Sequence, residues 1–336
     1  MKAPEIVAEL SANHLGRLEK ALELVDAAAN AGANSIKVQC WTRDMMVSKR
    51  DHLLANGPWA GQKLYDLYQQ AWTPWSWIPT IFERARQLNL QCIASVFDKP
   101  SLGYLELIGC PRYKIASFEL VDIPLIEAVR ETGKPIILST GMASEVEIWS
   151  ALKAAGIHAQ PRTDITLLHC VSAYPAPPAS MGIDHVRGLR SCFGVPIGLS
   201  DHTLSHTASI AATVLGATMI EKHFILDRQE GGPDAAFSIE PHELQELAAC
   251  VKEASEMMEP TPIEGTSAED PQRALRRSLH WVRDMEPGDM IGPDSIVSSR
   301  PADGIPPKDV NAVLGGVAKV RAKAGDPVRP EQVGHV

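Results

Sequence analysis

RYKIASFELVDIPLIEAVRETGKPIILSTG (112–141) decides the fold of this chain. A short apolar run carrying one lysine leads into VDIPLIEAVRETGK, whose apolar residues recur at helical spacing, and PIILSTG is a second apolar run. Strand, helix, strand in about 30 residues is one βαβ unit, and its two strands are parallel. The polar residues Ser117, Glu119, Ser139 and Thr140 fall just past the apolar runs, where the strands end.

The same unit repeats on both sides. Apolar runs occur at EIVAEL (5–10), SIKVQC (35–40), QCIASVF (91–97), ITLLHCV (165–171), PIGLSD (196–201) and MIEKHF (219–224). Helical patterns such as LEKALELVDAAANAGA (18–33), SWIPTIFERARQLN (76–89), SEVEIWSALKAAG (144–156) and SHTASIAATVLGA (205–217) lie between them. Eight strand–helix units in about 250 residues predict a (β/α)8 TIM barrel of the α/β class. A doubly wound open sheet is the alternative, and the lack of GxGxxG after the first strand counts against its dinucleotide-binding form.

The barrel is expected over 1–258. Residues 259–272 (EPTPIEGTSAEDPQ) read as a linker, and 273–336 as a small β-rich domain. That tail carries a pseudo-repeat, EPGDMIGPDSIV (286–297) and KAGDPVRPEQVG (323–334). About 60 residues is marginal for independent folding, so the tail is expected to lean on the barrel or a partner chain. The insertion 41–77 holds Trp41, Trp59, Trp72, Trp75 and Trp77. It reads as a satellite hydrophobic cluster and as a partial lid over the catalytic face.

The chain has 336 residues, with 32 Lys and Arg against 41 Asp and Glu, a formal net charge of −9. That balance argues against nucleic acid as a partner. No apolar run is long enough to span a membrane, and no secretory signal precedes the first strand. The six cysteines are scattered without a CxxC pair, which suits reduced thiols in the cytoplasm.

Barrel chemistry sits at the C-terminal strand ends, and those ends are polar here. They carry Glu9, Asn13 and His14; Lys37 and Gln39; Ser95 and Asp98; Lys114, Ser117 and Glu119; Ser139 and Thr140; Ser172 and Tyr174; Ser200, Asp201 and His202; and Glu221, Lys222 and His223. Lys37 and Gln39 share one strand face, as do Glu221 and His223. Buried charges are expensive unless paired, so several at one barrel mouth mark a site. Lys114 with Ser117, Ser139, Ser172 and Ser200 forms a phosphate-binding set. His202 and His223 end adjacent strands and are candidate ligands of a borderline divalent ion such as Mn²⁺ or Zn²⁺, although a lone strand-end histidine is more often simply hydrogen-bonded. His169 reads as structural; His206, His242, His280 and His335 read as surface or unassigned.

These segments resemble the sialic-acid-synthase-like enzymes. The matching runs are AELSANHLG (8–16), KVQ (37–39), YKIASFEL (113–120), ILSTGMA (137–143), LLHCVSAYPAPP (167–178), GLSDHT (198–203), EKHF (221–224) and GGPDAAFSIEP (231–241). RRSL (276–279) and SRPADGI (299–305) are similar to the antifreeze-like (SAF) domain of the same family. Within the family, GQKLYDLYQQAWTPWSW (61–77), YKIASFEL, HCVSAYPAPP and GGPDAAFS are most like the pseudaminic-acid-forming branch. Leu15, Cys40, the Ser95–Val96 pair and Ala302 depart from the usual pattern.

The resemblance implies condensation of phosphoenolpyruvate with 2,4-diacetamido-2,4,6-trideoxy-L-altrose, with C–O cleavage and phosphate release. N-acetylmannosamine or a 2,4-diacetamido-6-deoxymannose are the alternative acceptors. It implies that Lys114, Ser117, Ser139, Ser172 and Ser200 hold phosphoenolpyruvate. Lys37, Gln39, Ser95, Tyr174 and Asp234 would face the sugar or the reacting centre, and His202 and His223 would bind a metal, Mn²⁺ first, with Mg²⁺ or Co²⁺ as substitutes. Glu9, Glu119 and Glu221 are the acid/base candidates. Arg300 would reach the sugar of a partner subunit in a domain-swapped homodimer. Two other classes stay open: a Schiff-base aldolase using Lys37 or Lys114, and a non-catalytic sugar-binding protein.

Overall fold

The computed structural model describes residues 2–48, 52–159 and 164–335, which divide into two compact units, 1–259 and 260–336. In the first, eight parallel strands close into a barrel in sequence order. They are β1 (Glu5–Glu9), β2 (Ser35–Cys40), β3 (Gln91–Val96), β4 (Tyr113–Ile115), β5 (Ile136–Ser139), β6 (Ile165–Cys170), β7 (Ile197–Ser200) and β8 (Met219–His223). β1 pairs with both β2 and β8, which closes the ring: Glu9 stands opposite Lys37 on one side and His223 on the other.

A helix follows every strand: Leu18–Asn30, Ile78–Gln87, Lys99–Leu107, Ile123–Glu131, Glu145–Ala154, His185–Phe193, Thr207–Val214 and Pro241–Met257. Sequence signals set their starts. Ser144 and Glu147 cap Glu145–Ala154 reciprocally, and Asp98 accepts from the Ser101 backbone N–H at 2.7 Å to start Lys99–Leu107. Asp98 is thus a helix cap rather than a member of the lumen. The helices bury their apolar faces against the outside of the strands in one continuous core. β4 is only three residues long because Ser117–Glu119 turns into a 3-10 helix straight after Ala116. The insertion after β2 is not a plain loop: it contains the helices Arg43–Met46 and Leu64–Ala71 and an antiparallel bridge between Leu53 and Lys63.

Inside the ring, period-two alternation sorts the side chains into tiers. Val7, Ile93, Ile137, Leu168 and Met219 form a separate buried apolar cluster. The tier below it is polar, with Arg112 Nη1 2.8 Å from Glu5 Oε2 and Ser35 donating to the same carboxylate. The tier above, two residues further along each strand, is the subject of the next subsection. Gly198 belongs to the apolar tier. A Cβ there would lie 2.5 Å from the Met219 carbonyl oxygen and 2.6 Å from Leu168 Cδ2.

The second unit has its own core, built on Leu279, Trp281, Met285, Ile291 and Val328 among others. Two small antiparallel sheets frame it: β9 (Ser278–Trp281) with β10 (Ile296–Ser299), and β11 (Val317–Ala318) with β12 (Val333–Gly334). Of the segment 259–272, all but Glu259 falls in this unit, and it includes a 3-10 turn, Ser267–Glu269, followed by the short helix Asp270–Arg273.

Gly198→Ala should lower the barrel's unfolding free energy by about 1–3 kcal/mol, because neither the β8 backbone nor Leu168 can give way without disturbing a packed tier. Urea unfolding followed by far-UV circular dichroism checks this; an unchanged midpoint would show that the lumen is looser than described.

Candidate active site

One residue per strand makes up the upper tier: Glu9, Lys37, Ser95, Lys114, Ser139, Cys170, Ser200 and Glu221, all buried. Every member is polar or a thiol, whereas on β1, β3, β5, β6 and β8 the residue two positions earlier belongs to the apolar cluster. Alternation brings seven sequence-predicted residues to one level; the eighth, Cys170, is not among those predicted. It stands two residues beyond Leu168 on β6 and faces Ser200 in the register.

The two lysines of this tier differ in one respect. Lys37 lies in an ion pair with Glu9, 3.6 Å from Glu221 Oε1, and donates to Ser95 Oγ at 3.1 Å. Burial lowers its pKa to about 8, with Glu221 resisting that shift and Lys114 adding to it. Ser95, one of the family-atypical positions, thus holds the Lys37 ammonium. Burial would raise the Glu221 carboxyl, but Lys37, Lys114 and His202 hold it below its ordinary value. Ser200 Oγ donates to Glu221 Oε1 at 3.1 Å, leaving Oε2 buried without a hydrogen bond.

Lys114 is 2% exposed and donates to Ser139 Oγ at 2.7 Å and to the Ile115 carbonyl at 3.1 Å. Among the described residues no carboxylate lies within ion-pair distance of it. Beside it, the Gly141 N–H donates to Ser117 Oγ at 3.1 Å. A Cβ on Gly141 would fall 2.3 Å from Ser172 Oγ and 2.7 Å from Ser117 Oγ. Two hydroxyls and a backbone N–H therefore meet at a close approach that only glycine allows, two residues past Ser139, the hydroxyl that the buried Lys114 ammonium bonds. That is an anion cradle. Cys170 joins its edge, with Sγ 3.8 Å from Ser172 Oγ and 4.0 Å from His202 Nδ1.

Past Cys170, His202 and His223 stand with ring centroids 5.5 Å apart. The Nδ1–H of His202 donates to the Val171 carbonyl at 2.9 Å, which leaves Nε2 as the nitrogen for a ligand when the ring is neutral; burial lowers its pKa, but Cys170 and the Val171 carbonyl outweigh that and raise it. Burial, then the cations around it, pushes His223 well below the ordinary imidazole value, so its ring is neutral. His223 Nδ1 is buried without a hydrogen bond, 3.8 Å from Asp234 Oδ2. Two adjacent imidazoles fit a borderline divalent ion, whose binding would displace any proton from His202 Nε2. Among the described residues no third His, Cys, Asp or Glu completes a metal cluster with them.

Asp234 is fixed by Ser11, whose hydroxyl donates to Oδ2, and Gln39 Nε2 donates to Ser11 Oγ at 3.1 Å. Burial raises the Asp234 carboxyl, with Ser11 and the Ala12 N–H opposing. Ser11 has a φ of 44°, a left-handed conformation held by these contacts. Asn13 ties the loop down through Phe224 O and Ser238 Oγ, both at 2.8 Å. His14 bonds Thr73 Oγ1 at 3.0 Å, and burial lowers its pKa to about 4.

Some strand-end residues take other roles. Lys222 and Asp201 form a buried pair at 3.0 Å, with Ser209 Oγ donating to the same carboxylate at 2.6 Å. They alternate with Glu221 and Ser200 and face the helices. His169 Nε2 bonds the Met181 carbonyl at 2.5 Å, a structural role. His280 is not a surface residue: it is 4% exposed in the second unit. Arg300 also belongs to that unit, exposed at the end of β10. Glu119 is half-buried after β4, its Oε2 without a hydrogen bond.

The NeuB family model matches residues 24–261. The chain belongs to the NeuB family. Its second unit matches the SAF domain over residues 276–334. This NeuB-family chain is 39% identical to the pseudaminic acid synthase of Helicobacter pylori, covering 99% of this chain and 98% of that one. It is 35% identical to the pseudaminic acid synthase of Campylobacter jejuni, over 96% and 95%. Among solved structures it resembles an N-acetylneuraminic acid synthetase from Leptospira borgpetersenii, at 31% identity and a TM-score of 0.72, over 81% of this chain and 90% of that one.

Glu119 generates a pH prediction. Burial raises its carboxyl from 4.5 to about 7, against the pull of Lys114. The folded state therefore holds this proton more tightly than the unfolded chain. Stability falls as pH rises through that window. Relative to the native protein, Glu119→Gln should gain about 1–3 kcal/mol between roughly pH 4 and pH 8. Urea midpoints of both proteins at the two pH values measure this, and an equal difference at both would refute it.

Proposed function

We propose that the chain condenses phosphoenolpyruvate with an amino sugar to make a nonulosonic acid, releasing phosphate. The carrying observation is the buried Lys114 ammonium, with no carboxylate within ion-pair distance among the described residues, bonded to Ser139 at the edge of the Gly141 cradle. A buried cation without its anion is too costly to keep unless a ligand supplies that anion. Family membership and the two pseudaminic acid synthase relatives support the same reading.

In this reading Lys114, Ser117, Ser139, Ser172, Ser200 and the Gly141 N–H hold the phosphate and carboxylate of phosphoenolpyruvate. They set its C3 toward the aldehyde of the open-chain sugar. Lys37, Gln39, Ser95, Tyr174 and Asp234 surround the reacting carbons. A divalent metal on His202 and His223, Mn²⁺ first, would supply a Lewis acid for the aldehyde oxygen. Glu221 stabilises the positive charge that builds at C2 as C3 bonds to the sugar carbon. Glu9 accepts a proton from the water that adds at C2. Glu119, near 7, is the acid that returns a proton to the new hydroxyl. Phosphate then leaves with the oxygen that linked it to C2.

The sugar is 2,4-diacetamido-2,4,6-trideoxy-L-altrose and the product pseudaminic acid, as the two relatives at 39% and 35% identity suggest. A Schiff-base reaction fits poorly, because Lys37 is committed to Glu9 and Glu221. Large apolar side chains stand exposed past β4 and β5 (Phe118, Val121, Met142, Val146) and on the SAF unit (Val282, Met290, Val297). We assign them to a homodimer in which the partner's SAF unit delivers an arginine, Arg300, to this sugar. Four buried free cysteines, Cys40, Cys92, Cys110 and Cys170, agree with a cytoplasmic setting. No helix among the described residues is long and apolar enough to cross a membrane.

Phosphate release from phosphoenolpyruvate, with Mn²⁺, should appear with the altrose derivative and not with N-acetylmannosamine or the 2,4-diacetamido-6-deoxymannose. Turnover with one of those instead would move the acceptor and keep the chemistry. Silence with all three would reject the reading. Gly141→Ala should raise the KM for phosphoenolpyruvate by roughly 10- to 100-fold, the value of one or two charge-assisted hydrogen bonds. An unchanged KM would remove the anion from the cradle.

A further inference from the structure

Of the tryptophans in the insertion after β2, Trp75 and Trp77 pack against the barrel core. Trp41 is buried and donates to Gln39 Oε1 at 3.1 Å. Trp59 does something else. It sits near the tip of a short hairpin closed by the Leu53–Lys63 bridge and by backbone bonds from Leu54 N to Gln62 O at 3.0 Å and from Gly61 N to Leu54 O at 2.9 Å. Gly57 and Gly61, each at φ +83°, make the turns that bring the hairpin back on itself. The Trp59 ring leaves the hairpin and meets Tyr174 at a centroid distance of 5.5 Å and Phe237 at 5.8 Å.

Those two rings in turn pack against the histidine pair. Tyr174 lies 4.3 Å from His202, and Phe237 lies 4.9 Å from His223 and 5.0 Å from Tyr174. Trp59 is therefore the outermost member of an aromatic wall on the mouth beside the two imidazoles. Its one polar atom is already committed, since Nε1 donates to the Pro233 carbonyl at 2.6 Å. Pro233 precedes Asp234, so the same bond joins the hairpin to the loop that carries Asp234. With its N–H engaged, the half-buried indole of Trp59 offers a ligand only carbon surface, and Phe237, 2% exposed, backs it from behind.

The geometry points to Trp59 as a specificity-determining residue that recognises the deoxygenated, methyl-bearing end of the acceptor sugar. This rests on the condensation proposed above and deepens it. A methyl group against the indole face gains contact and loses nothing. A hydroxyl at the same place gives up water and meets no partner on that ring. Such a wall discriminates only modestly, because an apolar surface rejects an added hydroxyl by no more than about 100-fold.

The test compares 2,4-diacetamido-2,4,6-trideoxy-L-altrose with its 6-hydroxy counterpart in the full-length protein with Mn²⁺ and phosphoenolpyruvate. The native enzyme should prefer the 6-deoxy sugar by roughly 10- to 100-fold in kcat/KM. Trp59→Ala should narrow that preference to within about threefold by raising the KM of the 6-deoxy sugar, with the KM for phosphoenolpyruvate unchanged. Trp59→Phe keeps an apolar ring without the tie to Pro233 and should retain most of the preference; Trp59→Gln puts a polar group in place of the ring, should lose the preference, and serves if the alanine variant does not fold. An active native enzyme whose ranking survives in Trp59→Ala or Trp59→Gln would overturn the role of Trp59 and leave the condensation standing. A native enzyme silent with both sugars would overturn both.

Discussion

Among the described residues, the barrel encloses two ammonium groups in one buried tier and brings carboxylates within ion-pair distance of only one of them. Lys37 is held between Glu9 and Glu221, while Lys114 has hydroxyl and carbonyl oxygens alone. The fold tolerates this because a paired buried ion and an unpaired one carry different penalties. The first is a fixed part of the wall. The second is a standing demand for an anion. The serines, the Gly141 N–H and the bare Cα of Gly141 are placed around that demand.

The remaining polar groups divide according to which side of the strand they occupy. Glu221 and Lys222 are neighbours in sequence and have unrelated roles: one faces the lumen, the other pairs with Asp201 toward the helices. Ser200 and Asp201 split in the same way. Function on this scaffold is thus a matter of parity along each strand as much as of residue type. The second unit follows a different logic. Its core is its own, and its short sheets present the loop carrying Arg300, flanked by Ser299 and Asp303, both in contact with the buried His280.

Much of this arrangement is legible in the chain before folding. The eight apolar runs and the helical patterns between them specify the barrel, and alternation places Glu9, Lys37, Ser95, Lys114, Ser139, Ser200 and Glu221 at one level. Cys170 obeys the same rule, but a thiol within an apolar strand reads as ordinary core. Ser11 and Gly141 lie in turns, where period-two counting has no hold. Their importance comes from close approaches that only coordinates show. Asp98 illustrates the opposite error: a carboxylate at a strand end can belong to the next helix as its cap. His280 was equally hidden, because burial in a small unit rich in turns leaves no periodic trace. Trp59 reaches the mouth by a hairpin whose course depends on two glycines and one hydrogen bond.

The central claim is that the unpaired Lys114 and its cradle hold a phosphate that departs with its bridging oxygen. Phosphoenolpyruvate carrying oxygen-18 at the position between C2 and phosphorus tests this most directly. Incubated with the protein, Mn²⁺ and the acceptor sugar, it should yield inorganic phosphate that retains the label, in amounts matching the nonulosonic acid formed. Label found in the organic product, or phosphate released at the same rate without sugar, would contradict the account.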